Sequence, residues 1–265
     1  MDAITYGQLI LTLGDTALSV RNLIIREEPG EHGILSATVA AEEGTKDFLL
    51  YEERGSVAVY AVVEKKRKPL FYGIVTQMKV KTNGNQCVID MEAVTASYQM
   101  DLVAKNRSFQ DTAMTSRQLI EKVMEPYRQQ SHVFFAIPDE ELGQIMVQYQ
   151  ETDWAFLNRI LSKYGAKAYV DSTTPGICIR AGLMDLEEDA DWDSLPFTVS
   201  RSMSPTCAEG TLKGQLCYRL EAYDLIPLGE KVSFRDHELY IGRIERNISQ
   251  GLLSSSYSLY FPEGL

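Results

Sequence analysis

Residues 1–107 read as strands, in which apolar and polar positions alternate loosely at a period of two. Residues 6–13 and 19–25 alternate loosely around a Gly14-Asp15 turn signal, and 33–41 follows the break Glu27-Glu28-Pro29-Gly30. Residues 56–63 and 70–81 are rich in Val, Ile, Tyr and Phe. Asn83-Gly84 is the strongest hairpin signal in the chain. In the next strand, 86–98, Cys87, Ile89, Met91 and Ala93 take one face while Asp90 and Glu92 take the other. Six or seven short strands at this spacing predict a barrel or a sandwich rather than a parallel sheet.

The period then changes. Ser108-Phe109-Gln110-Asp111 leads into a helix near 115–125, where Leu119, Ile120, Val123 and Met124 recur at helical spacing, Thr115 can cap and Pro126 stops the run. Residues 133–137 read as apolar and extended, and 146–150 as a strand feeding a second helix at 152–164. That helix has both ends written in. Thr152 is its N-cap, because its hydroxyl can accept from an orphan amide one turn in. Asp153 puts negative charge at the positive end of the helix dipole. Lys163 complements the far end, and Gly165 can take the left-handed conformation that ends it. Trp154, Phe156, Leu157, Ile160, Leu161 and Tyr164 make one apolar face. Burying about five such side chains is worth at most about 1.5–3 kcal/mol each, which suits a helix clamped onto a β core. A hairpin around Thr174-Pro175 follows, joining 166–170 to 176–180.

The acidic stretch 184–194 reads as a linker. Strands resume at 197–201, 215–223, 231–234, 238–248 and 253–260, with Asp236-His237 as a turn. Leu70-Phe71-Tyr72-Gly73-Ile74-Val75 and Leu239-Tyr240-Ile241-Gly242-Arg243-Ile244 share one pattern, in which Gly73 and Gly242 mark a bend or a close backbone approach. The repeat predicts two related β units. The expected fold is therefore mainly β with an α+β insert: a first small β-barrel at 1–107, an α+β middle at 108–183, an acidic linker at 184–194 and a second small β-barrel at 195–265.

Composition narrows the chemistry. The chain has 265 residues, 45% hydrophobic and 24% charged, which is ordinary for a globular protein. No run approaches the roughly 20 apolar residues of a membrane span, and Met1-Asp2-Ala3-Ile4-Thr5-Tyr6 lacks a signal-peptide pattern, so synthesis in the cytoplasm is expected. Cys87, Cys178, Cys207 and Cys217 are scattered and only three histidines exist, which argues against a zinc site or a disulfide framework. A net charge of −11 gives no electrostatic reason to grip nucleic acid. Such charge around a channel would let an anionic polymer slide without sticking. Against that background Lys65, Lys66, Arg67 and Lys68 form a basic tip, either a solvated hairpin end or a contact with an acidic neighbouring subunit. Asp189, Asp191 and Asp193 imitate the start of a calcium loop, but Ser194 and Ser200 stand where the turn glycine and the bidentate glutamate belong. No metal or cofactor site is expected. Nucleophile-elbow, phosphate-loop, dinucleotide and zinc-protease motifs are missing. Glu151 and Asp153 point in different directions from a helix start, so no enzymatic role is expected.

The block Gln148-Tyr149-Gln150-Glu151-Thr152-Asp153-Trp154-Ala155-Phe156-Leu157-Asn158-Arg159-Ile160, with its closing Gly165, is similar to the hub proteins of contractile tails. These include the late-control-D proteins of phages and the hub portion of the VgrG spike proteins of type VI secretion. The Phe109-Gln110 pair before the first helix also resembles that family. The likeness runs from about 70 to 265 and is weakest over the first 60 residues. It implies a structural baseplate hub of a phage tail or a phage-tail-like contractile injection system, incorporated in the virion tail or particle. It implies a homotrimer whose six similar units join a sixfold tail tube to a threefold spike, with tube, spike and tape-measure proteins as partners. The chain stops at Phe261-Pro262-Glu263-Gly264-Leu265, so the spike or hydrolase domains of longer members are expected on other chains. The competing class is a cell-wall hydrolase or carbohydrate-binding module with Trp154 and Trp192 stacked on sugar. Trp154 sits on the apolar helix face, which argues against it.

Overall fold

A computed structural model describes residues 4–42, 55–83, 86–183, 197–205, 212–222, 228–249 and 251–261. Alternation in the first part produces six strands: β1 (Leu9–Leu13), β2 (Thr16–Glu27), β3 (Ile34–Glu42), β4 (Ser56–Val63), β5 (Lys66–Asn83) and β6 (Gln86–Val94). They hydrogen-bond in the order β1-β4-β5-β6-β3-β2, and β1 also pairs with β2, which closes a barrel. Leu11, Leu23, Val39, Val59, Phe71 and Ile89 point inward with no solvent exposure. Gly73 is required by closeness: a Cβ there would lie 2.5 Å from both the Val94 carbonyl oxygen and the Phe71 ring.

The middle part starts with a 3-10 turn at Ala96–Asp101. β7 (Lys105–Phe109) pairs with β9 (Met146–Glu151). Helix α1 (Ser116–Met124) is capped by Thr115, and a 3-10 turn at Glu125–Gln130 carries the chain through Pro126 into β8 (Ser131–Phe135). Helix α2 (Asp153–Ser162) is followed by the antiparallel hairpin of β10 (Ala168–Val170) and β11 (Ile177–Ala181). β11 also pairs with β8 in parallel, an association that local alternation could not reveal. The two helices bury Leu119, Ile120, Val123, Phe156, Leu157, Ile160 and Leu161 in one core with this small sheet.

The last part supplies β12 (Phe197–Pro205), β13 (Leu212–Ala222), β14 (Lys231–Phe234), β15 (His237–Ser249) and β16 (Leu252–Tyr260). β15 pairs with β2, so strands from both ends of the chain share one 11-stranded sheet. Among the described residues β1–β6 close a barrel, and the five later strands join the same sheet through β15. β4-β5-β6 and β14-β15-β16 are both antiparallel meanders, with Gly73 and Gly242 on their middle strands. Gly242 stands at a β-bulge, between the pairs Ile241↔Leu259 and Arg243↔Ser258. The turn before β15 is Arg235-Asp236, at φ 49° and 61°, one residue earlier than expected; His237 already pairs with Phe234. Gly84, the acidic linker 184–194 with Trp192 and its aspartates, Cys207, and the side chains of Ser200 and Cys217 lie outside the described residues. Cys87 and Cys178 are buried free thiols.

Candidate functional site

Helix α2 starts as its sequence dictates. The Thr152 hydroxyl accepts from the Ala155 amide at 3.1 Å and donates to Asp101 Oδ1 at 2.5 Å. At the other end Gly165 takes φ 63° with open space around it, so its conformation and not its size is what matters. Asp153 does much more than complement the dipole. It is fully buried and accepts from Lys105 Nζ at 2.5 Å, Tyr127 Oη at 3.0 Å, Gln148 Nε2 at 3.0 Å and the Arg107 guanidinium. A carboxylate removed from water needs partners of this kind. Burial, and then the neighbouring Asp153 charge, push the Tyr127 hydroxyl up to about 12. The network ties the helix start to β7 and β9. Glu151 faces elsewhere, held by the Arg159 guanidinium, with Nε at 3.2 Å.

The apolar face packs inward. Phe109 stacks on Phe156 with ring centroids 5.7 Å apart, so the Phe of the Phe-Gln pair braces the second helix while Gln110 is exposed. Leu157 and Ile160 have no exposure. Trp154 is 5% exposed; its Nε1 donates to the Gly30 carbonyl at 3.1 Å and its ring lies 4.4 Å from that of His32. His32 is itself held by Ser97 Oγ at 2.9 Å from Nδ1, and burial lowers its pKa despite the opposing Asp101 carboxylate. A groove of about 680 Å³ runs past this point, between the 29–32 loop and α2. Trp154 is among the residues that line the groove, but at 5% exposure it offers little ring surface for stacking on a sugar.

Three parts of the chain meet at buried polar contacts that sequence reading missed. Arg246 on β15 pairs with Glu27 on β2, and Ser172 of the β10–β11 hairpin donates to the same carboxylate at 2.6 Å. Burial alone would lower the Arg246 pKa, but the Glu27 charge and Tyr257 outweigh it and the value is raised. Arg180 on β11 pairs with Glu230 at 3.0 Å. Gly229 permits the last approach, since a Cβ there would meet the Tyr169 ring at 2.7 Å.

Outside, Glu64, Lys65, Lys66 and Arg67 are exposed at the β4–β5 tip. On β9, Val147 and Tyr149 stand 49% and 70% exposed beside Ile145 at 56%. Among the described residues no group of three or more His, Cys, Asp and Glu is placed to hold a metal ion, and no helix is long and apolar enough to cross a membrane.

The family model for the phage tail baseplate hub (GPD) matches residues 38–195, more than half of the chain. The chain belongs to that family. The match takes in Phe109-Gln110, the Asp153 network and all of α2 of this baseplate hub protein, and ends just before β12. No curated protein matches it in sequence. Solved structures similar to it include the 43 kDa tail protein of prophage MuSo2 from Shewanella oneidensis, 12% identical over 97% of each chain with a TM-score of 0.68. The Escherichia coli c3393 protein, described as a component of the type VI secretion system, is 12% identical over 96% of this chain and 78% of its own, with a TM-score of 0.69. A tail protein from Neisseria meningitidis MC58 is 12% identical, covering 97% of this chain and 98% of its own, with a TM-score of 0.68. At such identities the likeness is one of fold, and it extends along nearly the whole hub chain.

Proposed function

We propose that this baseplate hub protein acts as a homotrimer that joins a sixfold tail tube to a threefold spike, with tape-measure protein at the same axis. The observation that carries the reading is the repeated meander. β4-β5-β6 and β14-β15-β16 are two similar β units in one polypeptide, held in fixed relation by the β2–β15 pairing and by Glu27, Arg246 and Ser172. Three such chains would present six similar units about an axis, and head-to-tail contacts of suitable rotation would close the ring. In this reading β12–β16 form the second barrel, and 1–107, 108–183 and 195–265 are the three structural units. The role is structural: residues such as Asp153, Trp154, Phe156 and Leu157 hold the clamp, and Gly73 and Gly242 shape the two units. Incorporation into a tail or tail-like particle follows from the same reading.

The test is co-expression with the tube and spike proteins of the same particle, followed by native mass measurement of the purified complex. Three copies of this chain bound to a sixfold tube ring and a trimeric spike are expected. A complex holding one copy, or no complex, would overturn the proposal.

A further inference from the structure

Lys65, Lys66, Arg67 and Lys68 are the only run of four consecutive cations in the chain. The β4–β5 hairpin carries them outward. β1 pairs with β4 only as far as Ala61, and β6 pairs with β5 only from Ile74, so the last rungs, Val62↔Arg67 and Val63↔Lys66, stand beyond both neighbours. The turn itself is Glu64-Lys65 at φ 50° and 63°. That two-residue geometry favours Asn-Gly and disfavours residues with side chains. Charged residues are kept there against local preference. The Arg67 guanidinium lies 5.7 Å from the Tyr60 ring centroid, and Tyr60 meets Tyr72 edge-on at 5.8 Å, so one cation is already positioned before anything binds.

We propose that this hairpin is a docking peg that seats on an acidic surface of a second copy of this chain. Charge decides the occupant. Glu64 set against four cations gives the tip +3, which leaves −14 on the remainder of a chain whose total is −11. Two copies therefore repel at long range, and a contact of reversed sign is what lets them meet in one orientation. A nucleic acid would meet the same tip and the same repelling remainder, and a duplex oligonucleotide tests that outcome directly. Tip meeting non-tip is a heterologous contact, the kind that closes rings. The inference rests on the oligomeric reading above and adds the surface that makes it.

The experiment compares the full chain with the variant K65Q/K66Q/R67Q/K68Q by sedimentation equilibrium at about 0.15 M salt, where only charges within about 8 Å interact strongly. The wild type should self-associate, and the variant should do so at least about tenfold more weakly. Raising salt to about 1 M should weaken the wild type and should not weaken the variant, whose like charges it screens. The variant E64N/K65G keeps the turn and three cations, and should associate like the wild type, which separates charge from shape. Equal association of the quadruple variant overturns the proposal, as does a wild type that stays monomeric up to about 1 mM. Tip-dependent binding of a duplex oligonucleotide, or aggregation of the quadruple variant with its defined oligomer intact, would also overturn it. If the quadruple variant still enters the tube–spike complex in three copies, the hub reading survives and the peg falls.

Discussion

At the scale of single residues, Asp153 and Thr152 make a controlled comparison, because they are adjacent and both serve the start of α2. Thr152 satisfies one amide through a partly exposed hydroxyl, so Thr152→Ala should cost about 1 kcal/mol. Asp153→Asn leaves Lys105 and Arg107 facing a neutral amide in a buried site, and should cost about 3–5 kcal/mol. Urea denaturation of both variants measures the difference; equal losses would mean that the ion network does not hold the helix. The pair also shows what was legible in the sequence. Thr152 and Gly165 act within one turn of themselves, so their roles can be read from neighbours. The charged partners of Asp153 lie on a strand far back in the chain, and no local pattern links a lysine and an arginine on β7 to a carboxylate on α2.

Elements divide in the same way. The strands of the barrel and the two helices follow from period, because burial of one face sets side-chain spacing wherever the partner lies. Pairings between distant segments do not follow: β8 with β11, and β2 with β15, are choices of which edge meets which edge. Glycines mark two of the places where the fold decides. Gly73→Ala would press a methyl against the Val94 carbonyl, a backbone atom that cannot turn away, and should cost about 1–3 kcal/mol as overpacking. Gly165→Ala meets open space and should lose only the left-handed preference, about 1–2 kcal/mol. Thermal unfolding of the two variants should also separate them in kind. Shortening Phe71 should cost less in the Gly73→Ala background than in the wild type, whereas no neighbouring change should couple to Gly165→Ala.

For the whole molecule, pH tests whether the interfaces between parts carry stability. Tyr72 and Tyr127 are both pushed up to about 12, each by burial first, with Tyr60 adding at Tyr72 and Asp153 at Tyr127. An unfolded tyrosine ionises near 10. Between about 10 and 12 the folded state binds more protons than the unfolded one, so stability falls as pH rises through that window. His32 is shifted the other way: burial lowers its pKa, and the unfolded chain takes up the proton first as pH falls below about 6.5. Stability therefore drops on that side too, and Asp90, lowered by hydrogen bonds from Lys81 and Thr38, adds a further loss below about 4. The buried Cys178 thiol is pushed up to about 11, chiefly by burial, so the alkaline fall starts near its unfolded value of about 8.5; the melting temperature should be flat between about pH 7 and 8.5 and fall on both sides. Tyr127→Phe should lower the plateau, because Asp153 loses a donor, yet flatten the alkaline limb. His32→Gln should flatten the shoulder near pH 6.5 and leave the alkaline limb alone. Because His32 joins the barrel to Trp154 of α2, an acid shoulder that survives His32→Gln would mean that the barrel–helix contact is not where the low-pH loss arises.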